Sequence, residues 1–338
     1  MTLARTGEFG VIDLINHDLI KTPGEVIAGV GDDAAVLRTP NCENLLLATD
    51  MLVEGVHFSF SWSTYPDVGF KALSVNASDI AAMGGVPVHA VVSVALPRDT
   101  RSCDVEGLYD GIRRAADLYG VNIVGGDTVS GKGHFVVNIA LLGVCPEGNP
   151  IPRSGARPGD LVCVTGDLGA SAAGLYVKKN PGPKWPKDPA EYVVKAHITP
   201  VARVAEGRLL AKTKGVTAMI DVSDGLAGDL AQICRSSSVG CTLRAEEVPV
   251  AAETKEISQV AGVDYLDWAL YGGEDFELLF TVNPSYLRAL GETFAAGGCN
   301  FQQIGTIESE EGILLCRQGL AQRLEGKRGY DHFREFGE

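Results

Sequence analysis

The sequence predicts an α/β protein of two domains, and three observations support this prediction. The chain has 338 residues, which is long enough for two domains. Short apolar, β-branched runs typical of strands alternate with longer helical segments. A stretch dense in proline and glycine, residues 146–158, interrupts this alternation and is typical of a linker. We therefore expect an N-terminal domain over residues 1–150 and a C-terminal domain over residues 151–338.

The first half of the chain alternates strands with two helices. Strands are predicted at residues 45–49, 88–96, 121–124 and 135–144. A helix is predicted over residues 66–83, because Thr64 and Asp67 have the spacing of a capping box. A second helix is predicted over residues 105–119, ending at Gly120.

The second half restarts with the same alternation. Strands are predicted at residues 160–165, 216–222 and 276–282, and helices at residues 170–179, 200–212, 225–234 and 285–296. The helix over residues 200–212 is expected to begin at Pro200, since proline suits a first helical turn. Residues 180–189, which contain several prolines, are predicted to form a surface loop.

The composition argues against several classes of protein. The formal net charge of −14 leaves no basic footprint for a duplex nucleic acid. No apolar run approaches the roughly 20 residues that span a bilayer, and we expect no secretory signal in the first ten residues. The eight cysteines are dispersed and the six histidines are isolated. We therefore expect no disulfide framework, no zinc site, and a location in the reducing cytoplasm.

Acidic side chains recur where an apolar strand ends or a helix presents a polar face. Each aspartate alone is more often a turn residue or a helix cap. Together they suggest one site, because open α/β sheets bind ligands at the carboxyl ends of strands. Clustered carboxylates repel one another unless a cation compensates, and oxygen ligands without cysteine or histidine favour Mg²⁺. The set comprises Asp32, Asp33, Asp50, Asp79, Asp127, Asp221, Asp224, Glu274 and Asp275.

Two common nucleotide-binding motifs are incomplete in this chain. Residues 126–132 (GDTVSGK) match the start of a P-loop, but Gly133 stands where a serine or threonine must bind the metal. A strand is also predicted there, where a P-loop requires a helix. Residues 29–34 only partly match G-x-G-x-x-G, because Ala34 replaces the third glycine. We therefore expect neither a P-loop nor a Rossmann dinucleotide site.

Three isolated residues are further candidates. His57 follows Asp50 by seven positions, although an isolated histidine is more often structural. The guanidinium group of Arg153 suits a phosphate, although a lone arginine in a loop is more often a surface charge. Tyr330 has two alternatives, either to stack on an aromatic substrate or to pack the C-terminal tail onto the core.

The ordered set of these segments resembles the thiamine-monophosphate kinase family, within the aminoimidazole ribonucleotide synthetase-like ATP-binding superfamily. The resemblance covers nearly the whole chain, and its specificity comes from the order of the motifs rather than from any one of them. The motifs are GEFGVI from Gly7, GVGDDAAVL from Gly29, ATDMLVEGVHF from Ala48, GFKALSVNASDIAAMGGVP from Gly69, GGDT from Gly125, RSGARPGD from Arg153, VTGDLGASAAGL from Val164, IDVSDGL from Ile220, YGGEDFELLF from Tyr271 and GYDHF from Gly329.

The resemblance implies a fold of two α/β domains with mixed sheets flanked by helices, and a homodimer formed through the N-terminal half. It implies that ATP and several Mg²⁺ ions are bound and that the γ-phosphoryl group passes directly to thiamine monophosphate. It assigns no acid or base. Matching positions suggest metal ligands at Asp33, Thr49, Asp50, Asp79, Asp127, Asp221 and Asp224, ATP contacts at Gly126, Asp127, Arg153 and Ser223, and substrate contacts at His57, Glu274 and Tyr330.

One departure and three alternatives remain open at this point. Ala48 stands where the family can carry a hydroxyl group, so only its backbone carbonyl could bind a metal. The alternatives are another ATP-using enzyme of the same superfamily, a metal-dependent phosphohydrolase, and a non-catalytic nucleotide-binding protein. The role of Glu274 is also open, since its carboxylate could favour the thiazolium cation or accept a hydrogen bond from the aminopyrimidine.

Overall fold

The computed structural model describes residues 10, 12, 20, 23–38, 44–146, 148–182 and 185–324. Within them the chain forms two mixed β-sheets flanked by helices. This architecture confirms the predicted fold class. No helix in these residues is both long and apolar enough to cross a membrane.

The first sheet has six strands in the order β1-β2-β3-β6-β4-β5, in which β4 and β5 are parallel and the other neighbouring strands are antiparallel. The second has seven in the order β13-β12-β9-β11-β7-β10-β8, with β9 and β12 parallel. The strands are β1 Val26–Ala28, β2 Ala35–Arg38, β3 Asn44–Val53, β4 Val86–Leu96, β5 Asn122–Ser130, β6 Val136–Val144, β7 Leu161–Thr165, β8 Val216–Asp221, β9 Gly240–Arg244, β10 Leu278–Val282, β11 Phe301–Glu308, β12 Gly312–Arg317 and β13 Leu320–Arg323.

The helices connect these strands and pack against the sheets. Short 3₁₀ turns lie at Pro23–Glu25, Ala245–Glu247 and Pro284–Tyr286. The α-helices of the described residues are α1 Tyr65–Ala82, α2 Ser102–Tyr119, α3 Ala170–Lys179, α4 Lys187–Ile198, α5 Val204–Lys212, α6 Leu226–Ser237, α7 Ala252–Ala261, α8 Tyr265–Tyr271 and α9 Leu287–Ala296.

Helix α1 lies between the two halves of the molecule. It packs against β3, β4 and β6 of the first sheet, and also against β8 and α5 from the second half. Its N-terminus has the predicted capping box, in which Asp67 Oδ2 accepts a hydrogen bond from Thr64 N at 2.9 Å. Most of its residues from Val68 onward are buried. Polar side chains on this helix are therefore expected to have specific partners.

Contact between α1 and α2 depends on glycine. A Cβ atom added at Gly69 would lie 2.0 Å from Leu108 O, and one at Gly111 would lie 1.9 Å from Pro66 O. Any side chain at either position would push the two helices apart. The two glycines therefore set the position of α1 against α2, and with it the positions of the polar residues on α1.

The structure corrects several predicted element boundaries. Residues 187–198 form α4 where a loop is predicted through residue 189, because a proline in the first turn removes no helical hydrogen bond. The predicted helix over residues 200–212 starts only at Val204 as α5, since Ala202 N donates instead to Tyr119 Oη at 2.9 Å. The prediction did not include β1, β2, β9, α7, α8, β11, β12 or β13. The predicted boundary between residues 150 and 151 stays a prediction.

Candidate active site

Carboxylates from distant parts of the chain meet at one point. Asp33 precedes β2, Asp79 lies in α1 and Asp221 ends β8, and one carboxylate oxygen from each lies within 4.8 Å of the others. A fourth residue, Asp50 of β3, is joined to Asp79 by a hydrogen bond between the carboxyl groups. The structure thus brings four predicted metal ligands together. We call Asp33, Asp50, Asp79 and Asp221 the aspartate cluster.

Burial makes ionisation of the aspartate cluster unfavourable. Burial, with repulsion from Asp33, raises the pKa of Asp50 to about 6 and that of Asp221 to about 8. Burial and repulsion from Asp50 raise the pKa of Asp79 well above its usual range. Burial also raises the pKa of Asp33, although Arg153 opposes it. Full ionisation of the cluster at neutral pH therefore requires a compensating cation.

Arg153 folds from the linker onto the edge of this cluster. Its Nη2 donates a hydrogen bond to Asp33 Oδ1 at 2.6 Å, and its backbone N lies 3.2 Å from Asp32 Oδ1. Its side chain retains partial exposure. Burial, with repulsion from Asp33, raises the pKa of Asp32 to about 6. The single guanidinium group of Arg153 therefore lies beside more than one carboxylate, and the acidic groups of the site outnumber this one positive charge.

The donor set fits Mg²⁺. Asp33 Oδ2 is buried and has no hydrogen-bond partner among the described residues, so one ligand oxygen has its lone pairs unused. The three carboxylates that lie close enough to share a metal ion, Asp33, Asp79 and Asp221, have no cysteine or histidine among them. Carboxylate oxygens without nitrogen or sulfur ligands favour hard cations such as Mg²⁺.

Polar residues of α1 hold the surrounding segments in place. Asn76 Oδ1 accepts a hydrogen bond from Asp50 N at 3.0 Å, and Ser78 Oγ donates to Asp221 Oδ2 at 2.6 Å. Two turns earlier, Lys71 Nζ forms an ion pair with Glu274 at 2.7 Å. Sequence reasoning assigned no role to Lys71 or Ser78. The sequence did contain a signal for them: polar residues recur within a helix that is otherwise apolar, and such residues are expected to have specific partners.

Glu274 is at the centre of a second polar group, which we call the Glu274 group and which also contains Lys71, His197 and His57. Its Oε1 pairs with Lys71, and its Oε2 lies 3.2 Å from His197 Nδ1. Burial disfavours its charge, but the ammonium group of Lys71 holds its pKa below the usual value. Burial, with repulsion from Lys71, lowers the pKa of His197 to about 4, so that ring is neutral at neutral pH. His197 was not predicted, because nothing near it in sequence marks it.

The acidic residues of the GGEDFE motif have separate roles. Asp275 accepts hydrogen bonds from Gly169 N at 2.7 Å and Ser171 N at 3.2 Å at the start of α3. Burial nevertheless raises the pKa of Asp275 to about 7. Glu277 accepts two hydrogen bonds from Arg203, from Nε at 2.6 Å and from Nη2 at 2.5 Å. Of Glu274, Asp275 and Glu277, only Glu274 lies in the same polar group as His57, another predicted substrate contact.

Residues after β8 connect the aspartate cluster to Glu274. Ser223 O accepts a hydrogen bond from Glu274 N at 2.7 Å, so the predicted ATP and substrate segments touch. Asp224 N donates to Asp229 Oδ2 at 3.1 Å. Asp229 was not predicted, and burial with repulsion from Asp224 raises its pKa well above the usual range. It lies in the first turn of α6, where acidic residues are common, so its sequence position did not set it apart.

Thr49 and Asp127 lie on the opposite face of the first sheet. Thr49 alternates with Asp50 along β3, and its Oγ1 donates to Ile139 O at 3.0 Å. Asp127 lies on edge strand β5, where its Oδ1 accepts a hydrogen bond from Thr128 N. Neither side chain joins the aspartate cluster within this chain, and their assignment as metal ligands stays a prediction.

Gly126 has a structural requirement of its own. It pairs with Val92 in β4, in the row that contains Asp50, and a Cβ atom there would lie 1.8 Å from Val92 O. The chain over residues 126–130 is strand, which agrees with the rejection of a P-loop. Its ATP contact stays a prediction.

The two remaining predicted substrate contacts have different outcomes. His57 Nδ1 accepts a hydrogen bond from Val53 N at 3.0 Å, and its carbonyl accepts one from Lys71 Nζ at 3.3 Å. These bonds place it beside the Glu274 group. Tyr330 lies outside the described residues.

We expect Mg²⁺ to stabilise the protein more at pH 8 than at pH 6.5. In this window the folded state keeps the Asp221 proton until about pH 8 whereas the unfolded chain releases it near 3.8. Raising the pH therefore destabilises the metal-free fold, by on the order of 1–2 kcal/mol. His197 acts in the opposite sense only below its ordinary pKa of 6.5. Melting curves with EDTA and with Mg²⁺ at both pH values measure the difference, and an equal Mg²⁺ shift at both would contradict the assignment.

Two family models match the chain. The model for AIR synthase related protein, N-terminal domain, matches residues 31–145, and the model for AIR synthase related protein, C-terminal domain, matches residues 157–315. The matched ranges together cover most of the chain.

Individual proteins are similar over nearly the full length. The thiamine-monophosphate kinase of Bacillus subtilis is 35% identical over 329 residues, which is 97% of this chain and 99% of the relative. That of Aquifex aeolicus is 35% identical over 98% of this chain and 100% of its own length. A solved structure, AaThiL complexed with AMPPCP and TMP, superimposes with a TM-score of 0.86 at 33% identity, covering 98% of this chain and 99% of the other.

Proposed function

We propose that this chain, which belongs to the thiamine-monophosphate kinase family of AIR synthase related proteins, transfers the γ-phosphoryl group of ATP to thiamine monophosphate. The product is thiamine diphosphate. The observation that carries this proposal is the aspartate cluster with Arg153 at its edge. It is supported by the similarity to AaThiL complexed with AMPPCP and TMP.

The site has two parts that suit the two parts of the reaction. The aspartate cluster and Arg153 provide acidic ligands and a guanidinium group for the polyphosphate end. The Glu274 group lies about 12 Å away along α1, because eight positions separate Lys71 from Asp79 and each helical residue rises about 1.5 Å. This second group suits the organic end of the acceptor. Ser223, between them, is bonded to Glu274 through its carbonyl.

Asp33, Asp50, Asp79 and Asp221 would hold Mg²⁺. When bound, Mg²⁺ would neutralise the repulsion between the donor and acceptor phosphates. The residues themselves fix the geometry: Ser78 orients Asp221 through one hydrogen bond, and Arg153 orients Asp33 through another. Metal roles for Thr49, Asp127 and Asp224 are part of the same proposal.

No side chain is needed as a general base. The acceptor is a phosphate monoester, whose oxygens are largely deprotonated near neutral pH because the second pKa is about 6. The chain therefore has to position two anions in line, not to remove a proton. This is why a cluster of buried carboxylates, rather than a poised acid–base pair, suits the reaction.

A parallel assay of ADP release tests the proposal. The protein is incubated with Mg²⁺ and ATP together with thiamine monophosphate, thiamine, or no acceptor. The proposal predicts ADP release that depends on thiamine monophosphate and matches the amount of thiamine diphosphate formed. Equal ADP release without acceptor would indicate a phosphohydrolase, and no release with any of them would indicate another acceptor or a non-catalytic protein.

The proposal includes a homodimer that covers the outer face of the first sheet. Residues on this face alternate with the buried ones, and four apolar side chains there are 41–52% exposed. Large exposed apolar patches are typical of interfaces. A second copy on this face would also cover Thr49 and Asp127. The four side chains are Leu47, Met51, Val91 and Val129.

The substitution Val91→Glu is expected to convert the dimer to monomers, because it places a charge on the apolar face. The dissociation constant should rise by at least about 100-fold. Sedimentation analysis across a concentration series measures it. The control is Leu320→Glu in β13, an exposed leucine outside this face, which should leave the dimer intact. A wild-type chain that sediments as a monomer at all concentrations would contradict the proposal.

The remaining expectations are compatible with this function. The cysteines among the described residues are free, with no disulfide between them. A cytoplasmic location and the absence of a nucleic-acid partner belong to the proposal, and they rest on the acidic composition and the dispersed cysteines.

A further inference from the structure

Lys71 is a buried cation that the proposed reaction does not use directly. Its side chain is 3% exposed, in a helix whose neighbouring residues are also buried. Lysine is almost never fully buried unless it is paired, because its charge must leave water. The residue therefore needs partners, and their identity indicates its role.

The partners of Lys71 belong to the predicted substrate contacts. Lys71 Nζ lies 2.7 Å from Glu274 Oε1 and donates a hydrogen bond to His57 O at 3.3 Å. One ammonium group thus joins two segments that are 217 positions apart in sequence, from residue 57 to residue 274.

Each carboxylate oxygen of Glu274 lies close to a nitrogen of another side chain. Oε1 contacts Lys71 from α1, and Oε2 lies 3.2 Å from His197 Nδ1 of α4. The His197 ring is neutral, so the positive charge that balances Glu274 comes mainly from Lys71. The Glu274 side chain is 28% exposed and can therefore contact a ligand. The Lys71 side chain is buried and cannot.

The backbone at Glu274 also departs from relaxed geometry. Its φ is 58°, in the left-handed region that a residue with a side chain rarely adopts. Gly273 precedes it at φ 68°, where a Cβ atom would lie 2.5 Å from Ser223 O. Such strain persists only where surrounding contacts over-determine the conformation, and it is concentrated at functional sites. The ion pair with Lys71 is one of those contacts.

We propose that Lys71 is a positioning residue for substrate recognition: it holds the Glu274 carboxylate ionised and in the orientation that accepts a hydrogen bond from the organic part of thiamine monophosphate. The inference rests on the proposed function, because it takes Glu274 as a substrate contact. Lys71 itself touches no substrate. Its effect is therefore expected on the affinity for thiamine monophosphate and not on that for ATP.

A double-mutant cycle tests the proposal. Dissociation constants for thiamine monophosphate and for a non-hydrolysable ATP analogue are measured by calorimetry on wild type, Lys71→Met, Glu274→Gln and the double variant. Lys71→Met should weaken thiamine monophosphate binding by about 10- to 100-fold, with the ATP analogue nearly unaffected. The double variant should bind as weakly as Glu274→Gln alone, since Lys71 acts only through Glu274.

Each other outcome overturns the inference. Unchanged thiamine monophosphate affinity in Lys71→Met would show that Lys71 has no part in substrate recognition. Losses that multiply in the double variant would show that Lys71 acts independently of Glu274. If Lys71→Met does not fold, the double variant, which leaves neither charge unpaired, is compared with Glu274→Gln, and any further loss counts against the proposal. Lys187→Met, at an 83% exposed side chain, is the matched control. A wild-type protein that forms no thiamine diphosphate would remove the proposed function first.

Discussion

Replacing Asp79 with asparagine is expected to lower kcat/KM by at least about 100-fold and to raise the melting temperature of the metal-free protein. Asp79 lies at the centre of the aspartate cluster and is hydrogen-bonded to Asp50. The substitution removes a metal ligand and so lowers activity. It also removes a carboxyl group whose pKa is raised by burial and by Asp50, and an amide can still donate to Asp50.

The opposite directions of these two effects are the distinguishing result. Activity is measured over a series of Mg²⁺ concentrations, and melting is followed in EDTA at pH 8. The control is Asp110→Asn, at an exposed side chain of α2 that pairs with Arg113, which should change neither quantity. Near-normal turnover of Asp79→Asn at limiting Mg²⁺ would show that Asp79 is not a ligand. Loss of activity together with a lower melting temperature would indicate misfolding.

Replacing Arg153 with glutamine is expected to raise the KM for ATP by about 30-fold or more. Glutamine cannot supply the charged hydrogen bond that Arg153 makes to Asp33 at 2.6 Å. The variant also loses the guanidinium group proposed for a phosphate of ATP. The affinity for thiamine monophosphate should change little, because the Glu274 group is intact.

Calorimetric titration with a non-hydrolysable ATP analogue measures the Arg153 effect directly. Arg288→Gln is the matched control, since Arg288 is a highly exposed arginine of α9 that pairs with Glu292. An unchanged affinity for the ATP analogue in Arg153→Gln would show that the contact with Asp33 is structural only. A parallel loss for thiamine monophosphate would place Arg153 at the acceptor instead.

Local signals made much of the first half predictable. The capping box at Thr64 and the glycine after α2 mark helix ends, and each was visible within a few residues of sequence. The aspartates were also visible, because each sits in or beside an apolar run. Their convergence was suggested by the ordered motifs, and the geometry brings Asp33, Asp79 and Asp221 together.

Other parts of the site depend on tertiary contacts that no local pattern encodes. Lys71 and His197 are 126 positions apart, from residue 71 to residue 197, and become related only because both reach Glu274. The start of α5 is set by the bond from Ala202 N to Tyr119 Oη, which a propensity argument does not include. The sequence likewise did not reveal that Thr49 and Asp50, adjacent residues, face opposite sides of the sheet once β3 extends to Val53.

The most direct test is to follow the γ-phosphoryl group through one turnover. Excess protein is mixed rapidly with γ-labelled ATP, thiamine monophosphate and Mg²⁺, quenched, and separated into protein, nucleotide, thiamine diphosphate and inorganic phosphate. The proposed function predicts that label passes from ATP to thiamine diphosphate with none bound to the protein on the way. A stoichiometric phosphoprotein that is chased into product, or label that appears mainly as inorganic phosphate, would contradict it.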